Sequence, residues 1–178
     1  MEEAVKIALE SGFSHAGPLD CSTIELKEEV RKLCEVNTCQ QYGTNWACPP
    51  ACGSLEKCTE DIRQYKEGII VQTTAELEDS LDFEGMQQLG IDHEENFKRA
   101  TEALREKYPD MLILGTGGCN ICKECTYPDN PCRFPDKKVS SMEAYGMIVN
   151  DVCKANNIPY YYGSNTLTYV GCFLLKKL

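Results

Sequence analysis

The sequence predicts an α/β fold: a single layered domain with a small mixed sheet, flanking helices and cysteine-rich metal-binding loops. Segments with helical apolar spacing alternate with short β-branched runs, the order expected of a layered α/β domain. At 178 residues, with 42% hydrophobic and 26% charged side chains, the chain suffices for one domain, residues 1–178, around its own core. The loops are announced by the twelve cysteines. Most of them fall in two groups, Cys34 to Cys58 and Cys119 to Cys132, with ordinary scaffold between.

Taken in order, Glu2 to Ser11 has apolar positions Val5, Ile7, Ala8 and Leu9 and is closed by Gly12, which predicts a helix. Ser22 with Glu25 reads as a capping box for a helix through about Leu33. Gly68 to Thr74 is a β-branched run and predicts a buried strand. Asp92 with Glu95 reads as a second capping box, and Phe97, Ala100, Leu104 and Tyr108 continue a helical stripe to Pro109. Met111 to Gly115 predicts a core strand that delivers the chain into the second cysteine group. Ser140 with Glu143 predicts a helix presenting Tyr145, Ile148, Val149 and Val152 on one face. Ile158 to Tyr162 and Thr166 to Leu175 read as the last strands.

The formal charge of −10 and pI near 4.7 oppose phosphate backbones and anionic membrane surfaces, so neither nucleic acid nor membrane is an expected partner. No run approaches the length of a membrane helix. The N-terminus is acidic from Glu2 and lacks the basic start and unbroken apolar stretch of a signal peptide. A cytoplasmic protein is expected, where thiols stay reduced, and metal becomes the leading explanation of the cysteines.

Cys119, Cys122, Cys125 and Cys132 follow C-x2-C-x2-C-x6-C. Three thiolates at that interval can wrap one inorganic cube while a fourth closes the last corner, as in bacterial ferredoxins. Zinc usually takes two separated pairs. Gly117 and Gly118 permit a tight turn before the ligands, while Pro128, Pro131 and Pro135 prevent helix. The first group is looser, and no single metal template fits it. A second cluster there would use Cys34, Cys39, Cys48 and Cys58, with Cys52 spare or replacing one of them. A site shared between the groups is the competing arrangement. Trp46 and Tyr42 are candidates for a wall that limits solvent access, against plain packing.

The elements C-x4-C-x2-YG-x2-W-x-CPP (Cys34 to Pro50), GGC-x2-C-x2-C-x-YP (Gly117 to Pro128), CR-x-P (Cys132 to Pro135) and SMEAYG (Ser141 to Gly146) are spread over most of the chain. Together they resemble the cysteine-rich "predicted metal-binding protein" family of anaerobic bacteria and archaea, domain of unknown function 2284. The resemblance implies an iron–sulfur or other metal protein and supplies no substrate. Cys52 stands where that family pattern carries another residue.

Cys153 and Cys172 read as buried core thiols, and Cys21 remains open between core and ligand. His15 and His93 lack ligand spacing and read as solvated surface. GTGG at Gly115 to Gly118 lacks the remaining features of a nucleotide loop, and Glu76 to Gly85 reads as a solvated acidic face without the EF-hand pattern. The expectation is a cytosolic iron–sulfur protein of a low-oxygen organism with one or two [4Fe-4S] clusters, serving electron transfer or redox support of an anaerobic enzyme system. It implies a redox partner protein or small ligand. The alternatives are an enzyme using an open-site cluster as Lewis acid, and a structural zinc protein.

Overall fold

In the computed structural model, which describes residues 1–176, five α-helices surround a five-stranded mixed sheet. The chain runs α1 (Glu2–Glu10), β1 (His15–Asp20), α2 (Glu28–Val36), α3 (Leu55–Arg63), β2 (Glu67–Glu76), α4 (Phe83–Arg105), β3 (Met111–Gly115), β4 (Ser140–Ser141), α5 (Val149–Ala155) and β5 (Thr166–Leu175). Strand order is β1-β2-β5-β3-β4, antiparallel throughout except for the β3–β4 pair. The β2–β5 pair runs from Glu67 opposite Leu175 to Glu76 opposite Thr166.

Both faces of this sheet are covered, which is why β2 and β5 read as near-continuous apolar runs despite their antiparallel pairing. Ile70, Val170, Cys172 and Leu174 face a core shared with Leu19, Met142, Met147 and Val152. Ile69, Val71, Phe173 and Leu175 face the other way, onto Ala4 and Ala8 of α1 and Ala100 and Leu104 of α4. At Gly171 the Phe97 ring lies so close that an added Cβ would stand 2.3 Å from its Cζ. A side chain there would displace the ring that stacks on Phe173 at 5.0 Å.

Three expected helix starts are corrected. The Asp20 carboxylate accepts the Ser22 N–H at 2.9 Å and starts only a short 3₁₀ turn, Cys21–Thr23, while α2 begins at Glu28. Asp82, not Asp92, caps α4: it accepts the Gly85 N–H at 2.8 Å, and Asp92 lies mid-helix. Ser140–Ser141 is a strand beside β3. Ser141 Oγ accepts the Ala144 N–H at 3.0 Å and so caps a turn, with α5 starting at Val149. A capping box states a local preference, and neighbouring chain decides whether it is used.

Ile158 to Tyr162 is not a strand. It lies over the sheet, where buried Gln72 donates to the Pro159 carbonyl at 2.8 Å and accepts the Tyr162 hydroxyl at 2.6 Å. Pro159 has no N–H for a ladder. β1 and α3 were not expected from the sequence. His93 is buried rather than solvated, 4% exposed, with Nδ1 2.8 Å from Thr73 Oγ1. Among the described residues, no helix is long and apolar enough to cross a membrane.

Candidate metal centre

The parallel pair β3–β4 needs a crossover, and the chain supplies it as the loop from Thr116 to Val139 that carries the second cysteine group. Cys119, Cys122, Cys125 and Cys132, all half-buried, line one recess. Its other walls include Asn45, Trp46 and Ala47, which come from the first cysteine loop. The loop is shaped by its own bonds. The Asn130 N–H donates to the Thr126 carbonyl at 3.0 Å and Thr126 Oγ1 to the Pro131 carbonyl at 2.9 Å, turning the chain between Cys125 and Cys132. Asn120 donates to Glu94 at 2.6 Å and so ties the loop to α4. Gly117 sits at φ +73°, and a Cβ on Gly118 would meet Gln41 Oε1 at 2.7 Å, so the two cysteine loops touch where glycine stands.

Trp46 forms the seam. Its indole N–H donates to the Asn130 carbonyl at 3.0 Å, its ring meets Tyr127 edge-on at 5.0 Å, and Lys138 Nζ donates to its carbonyl at 3.2 Å. Its wall role therefore belongs to the second group, although it lies in the first by sequence. Beyond it an open groove of about 460 Å³ is lined by Trp46, Pro128, Pro131, Cys132, Pro135 and Lys138 among others.

In the first group Cys34 lies in the last turn of α2, which Asn37 closes in the left-handed region at φ 58°. Buried Asn45 accepts the N–H groups of Ala47 and Cys48 at 3.0 and 3.1 Å, fixing the approach to Cys48. The Cys52 N–H donates to the Cys48 carbonyl at 3.0 Å, which places both at one turn. Burial pushes the Cys34 thiol up against the pull of Arg31, and the charges of Cys39, Glu143 and Cys52 push it further. Cys48 is likewise pushed up by burial, drawn down by a hydrogen bond to Asn45, and raised by Cys39, Cys52 and Cys34. Cys39 and Cys52 therefore lie within reach of both Cys34 and Cys48.

Cys58 stands behind them, on α3. It is fully buried among the apolar residues of the sheet core. Its hydrogen bond with Cys52 lowers it, burial opposes that, and the Arg31 charge lowers it further; the same bond and burial raise Cys52. Cys21, Cys153 and Cys172 are buried in this core as well, and burial pushes the Cys21 thiol up to about 12. Arg31, Asn45 and Lys138 were missed from sequence. The only signal was for Arg31, which lies one helical turn before Cys34.

The donors suit a thiolate-bound metal group in kind. Among the described residues, no three Cys, His, Asp or Glu side chains stand close enough to hold a single ion. The recess has room of about 20 Å³, roughly one water. Its large apolar linings are Trp46, Ile121 and Phe134, the last two each 41% exposed.

No curated protein matches the chain. Among solved structures it is similar to epoxyqueuosine reductase from Streptococcus thermophilus, at 13% identity and a TM-score of 0.44, over 97% of this chain and 45% of that one, so it spans less than half of that protein's length. From residue 17 to residue 175 the sequence matches the family model described as "Predicted metal-binding protein (DUF2284)", and with its paired cysteine loops this chain belongs to that family.

Proposed function

We propose that this protein binds iron–sulfur clusters and serves electron transfer or redox support of an anaerobic enzyme system. The observation that carries the reading is the single recess lined by Cys119, Cys122, Cys125 and Cys132. These four would hold one [4Fe-4S] cluster. Cys34, Cys39 and Cys48 would hold a second with Cys52 as the fourth ligand, in place of Cys58, which is buried in the apolar core behind them. Such clusters supply one-electron chemistry whose potential follows burial, N–H···S bonding and nearby charge.

The chain's own residues set those terms. Trp46 covers the second group and meets the loop through Asn130 and Tyr127, limiting water there. Arg133 and Lys138 place cations in the same wall. The C-x2-C-x2-C spacing of Cys119, Cys122 and Cys125 supports a cube over a single zinc ion, which usually takes two separated pairs.

A second reading is favoured by the groove at Cys132. A small substrate there would reach the second group, as a cluster-dependent enzyme requires. The test of the main reading is anaerobic purification with iron, sulfide and zinc analysis. Brown protein with acid-labile sulfide and about four or eight irons per chain is expected. A colourless product holding only stoichiometric zinc after attempted reconstitution overturns it.

A further inference from the structure

Arg31 is half-buried on α2, one turn before Cys34. Its guanidinium gathers three separate segments. One terminal nitrogen donates to the Ala144 carbonyl at 3.0 Å and stands 3.7 Å from Cys58 Sγ, and the other donates to the Gly53 carbonyl at 2.8 Å. Those partners are neutral carbonyls and a thiol. Among the described residues no carboxylate forms an ion pair with Arg31. A cation withdrawn from water needs a counter-charge, and in a chain of formal charge −10 the sequence had acids in plenty to provide one. The sulfur it meets is Cys58 Sγ, and its charge also reaches the Cys34 and Cys52 thiols and the exposed Glu56 carboxylate.

We propose that Arg31 is the counter-charge and positioning residue of the first cysteine group. Its bonds hold the Gly53 turn and the Ala144 segment in place, and its charge offsets thiolates that bind metal at Cys34, Cys39, Cys48 and Cys52. This rests on the iron–sulfur reading above. Arginine suits the task because its planar fork serves several acceptors at once and stays ionised. Four thiolates around a cluster leave it negative, and an electron added by an external reductant makes it more so. A nearby fixed cation therefore favours the reduced form and raises the potential.

The test compares native protein with Arg31→Lys and Arg31→Met, each reconstituted anaerobically. Iron per chain is measured, followed by reduction with dithionite in a spectroscopic redox titration. The second group's cluster serves as internal reference. Arg31→Met is expected to move one of the two potentials to a more negative value, or to lose about half the iron, with the other cluster unchanged. Arg31→Lys, which keeps the charge but loses the fork, is expected to lie between Arg31→Met and native. Equal iron and both native potentials in folded Arg31→Met overturn the proposal. Lys and Met variants that lose the same share of iron at unchanged thermal stability overturn the charge role as well. A native chain that takes up no iron overturns the parent reading instead, which keeps the two failures distinct.

Discussion

Lys138 Nζ donates to the Trp46 carbonyl at 3.2 Å, joining the two cysteine loops across 92 residues of sequence. The same lysine lines the recess of the second group, and its charge weakly opposes the rise that the Cys58 bond and burial impose on Cys52 of the first group. The two groups are neighbours, and Trp46 lies in the seam.

Lys138→Met keeps the length of the stem and removes the bond to Trp46. A net loss of about 0.5–1.5 kcal/mol is expected. Faster bleaching of the visible absorbance in air should accompany it, because the wall over the second group loosens. Unchanged bleaching with unchanged stability would show that the seam does not protect the site.

Cys119→Ser, Cys122→Ser and Cys125→Ser should each lose much of the iron. Cys153→Ser and Cys172→Ser should keep it, and Cys172→Ser should lose stability, since an unpaired hydroxyl in an apolar site costs about 1–3 kcal/mol, whereas Gln72 donates toward position 153. Iron analysis beside urea unfolding separates the two classes. Full iron retention in all three loop variants contradicts the assignment.

Cys52 and Cys58 should part company. Cys52→Ser is expected to lose about half the iron with a small change in melting temperature. Cys58→Ala should retain iron and melt lower, because it empties part of a packed core. The reverse pattern would return the fourth ligand position to Cys58.

Removing Cys34, Cys39 and Cys48 together should halve the iron and leave the spectrum of the other cluster. A folded triple variant with no iron would mean that the two groups form one shared site.

Burial lowers His93 to about 4, and its Nε2 has no hydrogen-bond partner among the described residues. Unfolded, the imidazole titrates near 6.5. Between those values the unfolded chain binds more protons than the folded one, so stability is full above about pH 6.5 and falls as pH drops toward 4. The contribution is on the order of 3 kcal/mol. His93→Leu should flatten that slope relative to native in urea midpoints taken across the window. Parallel slopes would sink the account.

The sequence alone determined the α/β class, the core strands β2 and β5, the stripe of α4 and the spacing of the second cysteine group, because apolar period and ligand spacing are local properties written into contiguous residues. Helix starts were less legible. Ser22, Asp92 and Ser140 each carry a capping pattern, and each was overruled by a neighbour that local spacing does not reveal: Asp20, the upstream turns of α4, and β3. Gly68 to Thr74 and Ile158 to Tyr162 looked alike in sequence, yet only the first found strand partners, since pairing is a relation between distant segments. The first cysteine group depended on tertiary structure most of all. Only folding sends Cys58 into the core, leaves Cys52 beside Cys34 and Cys48, and brings Arg31 against Gly53 and Ala144. The Arg31 guanidinium beside those thiols is held by a carbonyl 113 positions away, a distance over which spacing along the chain carries no information.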